Sequence, residues 1–423
     1  INDGANVTVT ATSAVNSGTI NIGGNNTGNT GNATGDVVVT VNLNSDGETN
    51  LTGGAIKVTG GKTVTVTTNS TIVSTTADAN SGAGETIKNG TITIDGDANT
   101  TTVTVKQTES VTEYTKAAVA EVKATQTVTF KALEKGDTVT VNGLTFTASK
   151  DLTAEQVAAA FADLSTDDTQ DNGGVTANGY YTNSFTTVDG WTSAAANGAT
   201  VTFTAPAFDT AVSLVVGSSG ETVAGASLPT AATIVPGKAA APAEYSYDSV
   251  TLGKVVINDG ATVDTIKTVS VDGYGATSSI NSNALTDVTL KHSSGDMTVT
   301  STVASLNLTV DDIQNDVTLT AGSLKTLNLT TTGVASDFDL TSTAVETLNI
   351  TANADLDLNS SFDADINNDG DILDAGEQAY ALKTITISGT GDVALGDISY
   401  SATALTSTTT GDVSATLAGT ATV

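Results

Sequence analysis

The chain has no cysteine, no arginine, a single histidine, a single tryptophan and four prolines among 423 residues. Without cysteine, neither disulfides nor thiolate metal sites can brace the fold, so any metal must be held by oxygen ligands. All 15 positive residues are lysines facing 46 acidic ones, a net charge of −31. Phosphates would be repelled, which excludes nucleic acid and an anionic membrane surface as partners. No run of about 18 apolar residues occurs, so no transmembrane helix is predicted. Nucleophile-elbow, Walker and dinucleotide patterns are missing, and His292 has no cysteine or second histidine to work with. Carboxylate pairs are common, yet neither aromatic sugar platforms nor basic groups gather around them. The chain therefore reads as a non-enzyme.

What is present is a bias to Thr, Val, Ala, Gly, Asn and Asp, with 38% hydrophobic residues but only 4% aromatic. Small and β-branched side chains suit many short strands around a thin core. The C-terminal half carries a repeat. Leu306-Asn307-Leu308, Leu327-Asn328-Leu329 and Leu348-Asn349-Ile350 recur every 21 residues, each predicting a strand with two residues inward and one outward. Val269-Ser270-Val271, Val288-Thr289-Leu290 and Ile385-Thr386-Ile387 extend the series, and Gly-Asp-Val triplets at Gly391 and Gly411 carry it onward. The step from Leu348 to Ile385 is 16 residues too long, and the surplus falls on 361–380.

The N-terminal part alternates in the same way, as in Val7-Thr8-Val9, Val39-Thr40-Val41, Val64-Thr65-Val66, Ile92-Thr93-Ile94 and Val103-Thr104-Val105. Ile1-Asn2-Asp3-Gly4-Ala5 returns as Ile257-Asn258-Asp259-Gly260-Ala261. The expectation is a mainly β chain: an elongated β-solenoid or β-helix-like repeat architecture with a small inserted α+β domain. Its parts are an N-terminal β-repeat region over 1–118, the insert over 119–243, and a C-terminal solenoid-like region of about 20-residue repeats over 244–423. In the insert a helix is predicted over Val157–Leu164, capped by Thr153 or Asp151, among strands at 126–130, 138–148 and 200–205. About fifteen rungs at roughly 4.8 Å each are expected.

The strongest local motif runs from Asp363 to Glu377. Asp365, Asn367, Asp369 and Asp371 stand at alternate positions with Gly370 for a sharp turn, the pattern by which a short loop offers oxygens to Ca²⁺. The twelfth position is Gly376, so the final ligand must come from Asp374 or Glu377. Other acidic turns are candidates by type: Asp311-Asp312 with Asp316, Asp337 with Asp339, Asp355 with Asp357, and Asp36, Asp296, Asp392 and Asp412. Sequons at Asn307 and Asn328 lie on the predicted strands, and none is taken as a glycosylation site.

The stretches Asp3–Val9, Gly53–Val66 and Thr102–Thr108, together with the Leu-Asn-Leu ladder, resemble the S-layer proteins of Gram-negative bacteria such as Caulobacter. The likeness lies in texture and strand-turn order. It implies a type I-secreted cell-surface protein that assembles with Ca²⁺ into a two-dimensional lattice of its own copies, with lipopolysaccharide as a partner through a domain not present in this chain. The expectation is thus an extracellular structural protein, the alternative being a calcium-stiffened adhesin or filament subunit.

Overall fold

The computed structural model describes the chain except for residues 1–3, 25–30, 80–82, 165–174, 183–189, 210–213, 220–228, 261–263, 343, 362–381, 398–403 and 417–423. It divides into two compact units. Unit 1 comprises Ile1–Thr115 and Tyr245–Val423, and unit 2 is Lys116–Glu244.

Unit 1 is built from two parallel sheets of eleven strands each, and neither closes into a barrel. The chain visits them alternately. The first sheet takes, in spatial order, Val7–Ser13, Val37–Ser45, Thr63–Val73, Thr102–Thr112, Thr268–Tyr274, Asp287–Ser293, Ser305–Asp311, Thr326–Thr331, Thr347–Ala352, Thr384–Gly389 and Ala404–Ser407. The second takes Ile20–Ile22, Ile56–Thr59, Ile92–Gly96, Val255–Asp259, Ser278–Asn281, Met297–Thr300, Val317–Thr320, Ser336–Thr341, Leu356–Ser361, Val393–Asp397 and Val413–Thr416. Three early rungs gain a third side from Leu51–Thr52, Thr86–Lys88 and Ser249–Thr251. Each strand pairs with its counterpart one turn earlier, as in a β-solenoid. The rungs number eleven rather than about fifteen, because several of the short runs counted from the sequence are second or third sides of one rung.

Alternation with a period of two puts every second residue inside. The inner column of the first sheet reads Val37, Val64, Val103, Val269, Val288, Leu308, Leu329, Ile350 and Ile387, all essentially without exposure. The predicted stacking of Leu306, Leu327, Leu348 and Ile385 is present in register. One alignment is corrected: Val288 sits beside Leu308, not Leu306, because that turn is 20 residues long. The core is aliphatic, with Phe338 and Tyr274 its only buried rings among the described residues of unit 1.

The ladder is unbroken where the chain departs into unit 2. Thr102–Thr112 pairs with Thr268–Tyr274, and Ile92–Gly96 with Val255–Asp259, across the excursion. A buried amide helps re-seat the returning chain. Gln107, 4% exposed, donates to the carbonyls of Gly253 (2.8 Å) and Gly273 (3.1 Å) and accepts the Gly253 N–H (2.9 Å). Satisfying both ends of a buried amide makes this register specific, since a slip would strand its polar atoms.

Unit 2 holds two four-stranded sheets with antiparallel pairings and a core rich in rings, including Trp191, Phe130, Phe146, Phe161 and Phe203. Phe130 and Phe161 stack with centroids 5.0 Å apart. The expected strand over 138–148 is a hairpin, Thr138–Val141 with Leu144–Ala148, turned by Asn142 (φ 45°) and Gly143 (φ 91°). Positive φ at both central residues is what a two-residue hairpin needs, and Asn-Gly meets it at low strain. The helix spans Ala154–Ala159, starting and ending earlier than predicted. Thr153 accepts the Gln156 N–H while Gln156 Oε1 accepts the Thr153 N–H at 3.0 Å, a reciprocal cap that sets the start. Asp151 is diverted to the Lys135 N–H at 3.0 Å.

The inward and outward positions should differ sharply in unfolding experiments. Leu348→Ala is expected to cost about 2–5 kcal/mol, and Asn328→Ala, which opens one link of an outward ladder, about 1 kcal/mol. Urea denaturation of the two variants measures the difference.

Candidate metal centre

The residues expected to hold Ca²⁺, namely Asp365, Asn367, Asp369, Asp371, Asp374 and Glu377, lie outside the described residues. Among the described residues, unit 1 brings together a carboxylate triad that sequence reasoning missed: Asp78, Glu85 and Asp248, with ligand oxygens all within 4.8 Å of one another. Asp78 and Glu85 follow the third strand of the first sheet, while Asp248 precedes Ser249–Thr251, where the chain re-enters unit 1.

Hydrogen bonds set the triad. Asp248, buried, accepts the Glu85 N–H at 2.7 Å through one oxygen and the Ser74 hydroxyl through the other. Asp78 accepts the Tyr247 N–H at 2.7 Å, and its own N–H donates to the Tyr245 carbonyl at 2.9 Å. Asp248 thus ties two turns together before any ion is considered. Partial burial, followed by the neighbouring charges of Asp78 and Asp248, raises the pKa of Glu85.

Two oxygens on opposite sides of a Ca²⁺ ion lie roughly 4.6–5.2 Å apart, twice the usual bond length. The triad's spacing and hard, anionic donors fit that ion. They do not make a nitrogen- or sulfur-coordinated site. Bound there, a divalent cation would supply the positive charge that three converging carboxylates lack.

The acidic turns predicted by type take several structural roles. Asp355, Asp392 and Asp412 form a column in which Asp392 N–H donates to Asp355 Oδ1 (2.9 Å) and Asp412 N–H to Asp392 Oδ1 (2.8 Å). With Asp337 and Asp357 they line an acidic groove of about 400 Å³ along the second sheet. The Asp36 N–H donates to Asn6 Oδ1 at 2.9 Å in a similar link. Asp316 has a raised pKa because of burial and then the nearby charges of Asp339 and Asp296. Asp311 is paired with Lys291 at 3.0 Å; burial raises its pKa, but the Val334 N–H and Lys291 outweigh this and leave it lowered.

His292, at φ 50°, places Nδ1 2.6 Å from Asp272, which also meets Lys106 at 3.0 Å. Burial pushes the Asp272 pKa up, and the bonds from His292 and Lys106 overcome it, so the carboxyl sits below its usual range. Lys106, Asp272, Lys291 and Asp311 follow one another in register, a column of alternating charge on the first sheet. Glu346 lies between Lys325 (2.8 Å) and Lys383 (2.7 Å), whose hydrogen bonds and charges lower its pKa to about 2.

Comparison with known proteins gave no match: no family model fits the chain, and no curated protein matches it.

The signs of these shifts give pH predictions. Glu85 binds its proton more tightly when folded, so its contribution to stability is present at low pH and lost as pH rises through its folded value. Asp272, Asp311 and Glu346 run the other way: their contribution is lost as pH falls, for Glu346 between the ordinary glutamate value of about 4.3 and about 2. NMR titration of the Glu346 carboxyl should find its midpoint near 2, moving upward in Lys383→Ala. In calcium-free buffer at pH 7, Glu85→Gln should raise the thermal midpoint, and it should weaken calcium binding about tenfold by removing one charged ligand. Calorimetry of both proteins reads the two effects.

Proposed function

We propose that the chain is an extracellular structural protein of a bacterial cell surface, which self-assembles with calcium into a two-dimensional S-layer lattice. The observation that carries this reading is the continuous eleven-rung ladder of unit 1, a rigid body whose strands repeat in register from end to end. At roughly 4.8 Å per rung it extends on the order of 50 Å, a size suited to a lattice tile. Unit 2 is read as an α+β domain inserted into the fourth rung. The resemblance of the repeat stretches to S-layer proteins supports the surface location.

Calcium enters as a stabiliser of acidic corners. Asp78, Glu85 and Asp248 would hold it between the third turn and the returning chain, relieving the repulsion that raises the Glu85 pKa. A second reading, a calcium-stiffened adhesin, draws on the separate compactness of unit 2.

Electron microscopy of the purified chain separates the two. Planar arrays that form with calcium and dissolve in EGTA are expected. Arrays unchanged in excess EGTA would remove calcium from the mechanism, and isolated filaments in place of arrays would favour the adhesin.

A further inference from the structure

The two sheets of unit 1 differ in what they turn outward. The second sheet carries Asp337, Asp339 and Asp357 on its outer positions, with Asp316, Asp392 and Asp412 at the starts of its strands. The first sheet carries hydroxyls and amides. One outward column is in register from Thr65 to Ser388 and presents a Thr or Ser on eight consecutive rungs. Beside it Asn349 donates to Asn328 (2.9 Å), Asn328 to Asn307 (2.8 Å) and Asn307 to Asp287 (2.9 Å). The charges that do stand on this sheet's outer side or its margin are largely matched there, Lys106 with Asp272, Lys291 with Asp311, and Lys325 and Lys383 with Glu346.

In a chain of net charge −31, two copies that meet through most other surfaces bring carboxylates together, and like charges oppose association. The outer face of the first sheet is where that repulsion is least. Its side chains are also fixed beforehand by the ladder bonds, so little rotamer freedom is lost on contact. Eleven rungs at about 4.8 Å and strands of roughly six residues at about 3.3 Å give a face near 1,000 Å² per copy, against about 800 Å² per partner in a standard interface.

We infer that the outer face of the first sheet is a self-association surface, covered in the assembled protein by the same face of a second copy. This rests on the lattice reading above and names the face through which copies meet. A two-fold axis would set Thr and Asn columns of one copy between those of the other, as in the dry interfaces of stacked sheets.

The absence of native cysteine makes single-cysteine probes clean. With calcium present, Thr309→Cys, Thr330→Cys and Thr351→Cys are each treated with a short bismaleimide, beside Thr318→Cys on the second sheet. Cross-linked dimers are expected from the first-sheet group and not from Thr318→Cys. A product that forms only in a mixture of Thr330→Cys and Thr318→Cys copies would overturn the proposal in favour of a head-to-tail contact. In a second experiment, the double variant Thr309→Glu and Thr351→Glu, with its fold checked by circular dichroism, should self-associate at least tenfold more weakly in sedimentation. If it assembles like the wild type, the face assignment falls and the lattice reading stands. If the wild type itself stays monomeric with calcium, the lattice reading falls and takes the face with it.

Discussion

Unit 1 depends on like side chains stacking on like at the spacing of a parallel ladder. Each inward column is a run of Val, Leu and Ile, and each residue in it is buried by the rung before and the rung after. No rung carries enough apolar surface to be stable alone, so the free energy of folding lies between neighbours rather than within turns. The same spacing organises the outside: once the inner columns are in register, the Asn, Thr and Asp side chains opposite them stack too, and their hydrogen bonds follow without further design.

That dependence explains what could be read from the amino-acid string. Leu306, Leu327 and Leu348 announced a ladder because the repeat interval there is constant, and a constant interval survives as periodicity. Val288 was misaligned because its turn differs by one residue and no side chain marks the difference. The reciprocal cap at Thr153 could be anticipated as a type, yet where the helix stopped depended on packing beneath it. Asp78, Glu85 and Asp248 were illegible for a stronger reason. Their meeting is made by the return of the chain after more than a hundred residues, and nothing in local spacing records that return.

Charge follows the same geometry to an opposite end. A column of aspartates at one rung spacing concentrates negative potential, and unit 1 manages it in three ways. Asp355 and Asp392 spend their oxygens on the next rung's N–H. Asp272, Asp311 and Glu346 take lysine partners. Glu85 and Asp316 are left with raised affinity for a proton. The third group marks where positive charge from outside would be most welcome.

The ends of unit 2 are zipped to each other, with Lys116 paired to Glu244 at 2.9 Å and the Val119 and Val122 N–H groups donating to the carbonyls of Ala241 and Lys238. For a nascent chain this bears on timing. Closing a loop of more than a hundred residues costs about 4 kcal/mol more than closing one of two, by the logarithmic scaling of loop entropy. A unit 2 that has already folded delivers its two ends side by side, and the distant strands then join as though they were neighbours in sequence. The order of events is thereby written into the molecule: the excursion collapses first, and only afterwards does the fourth turn close.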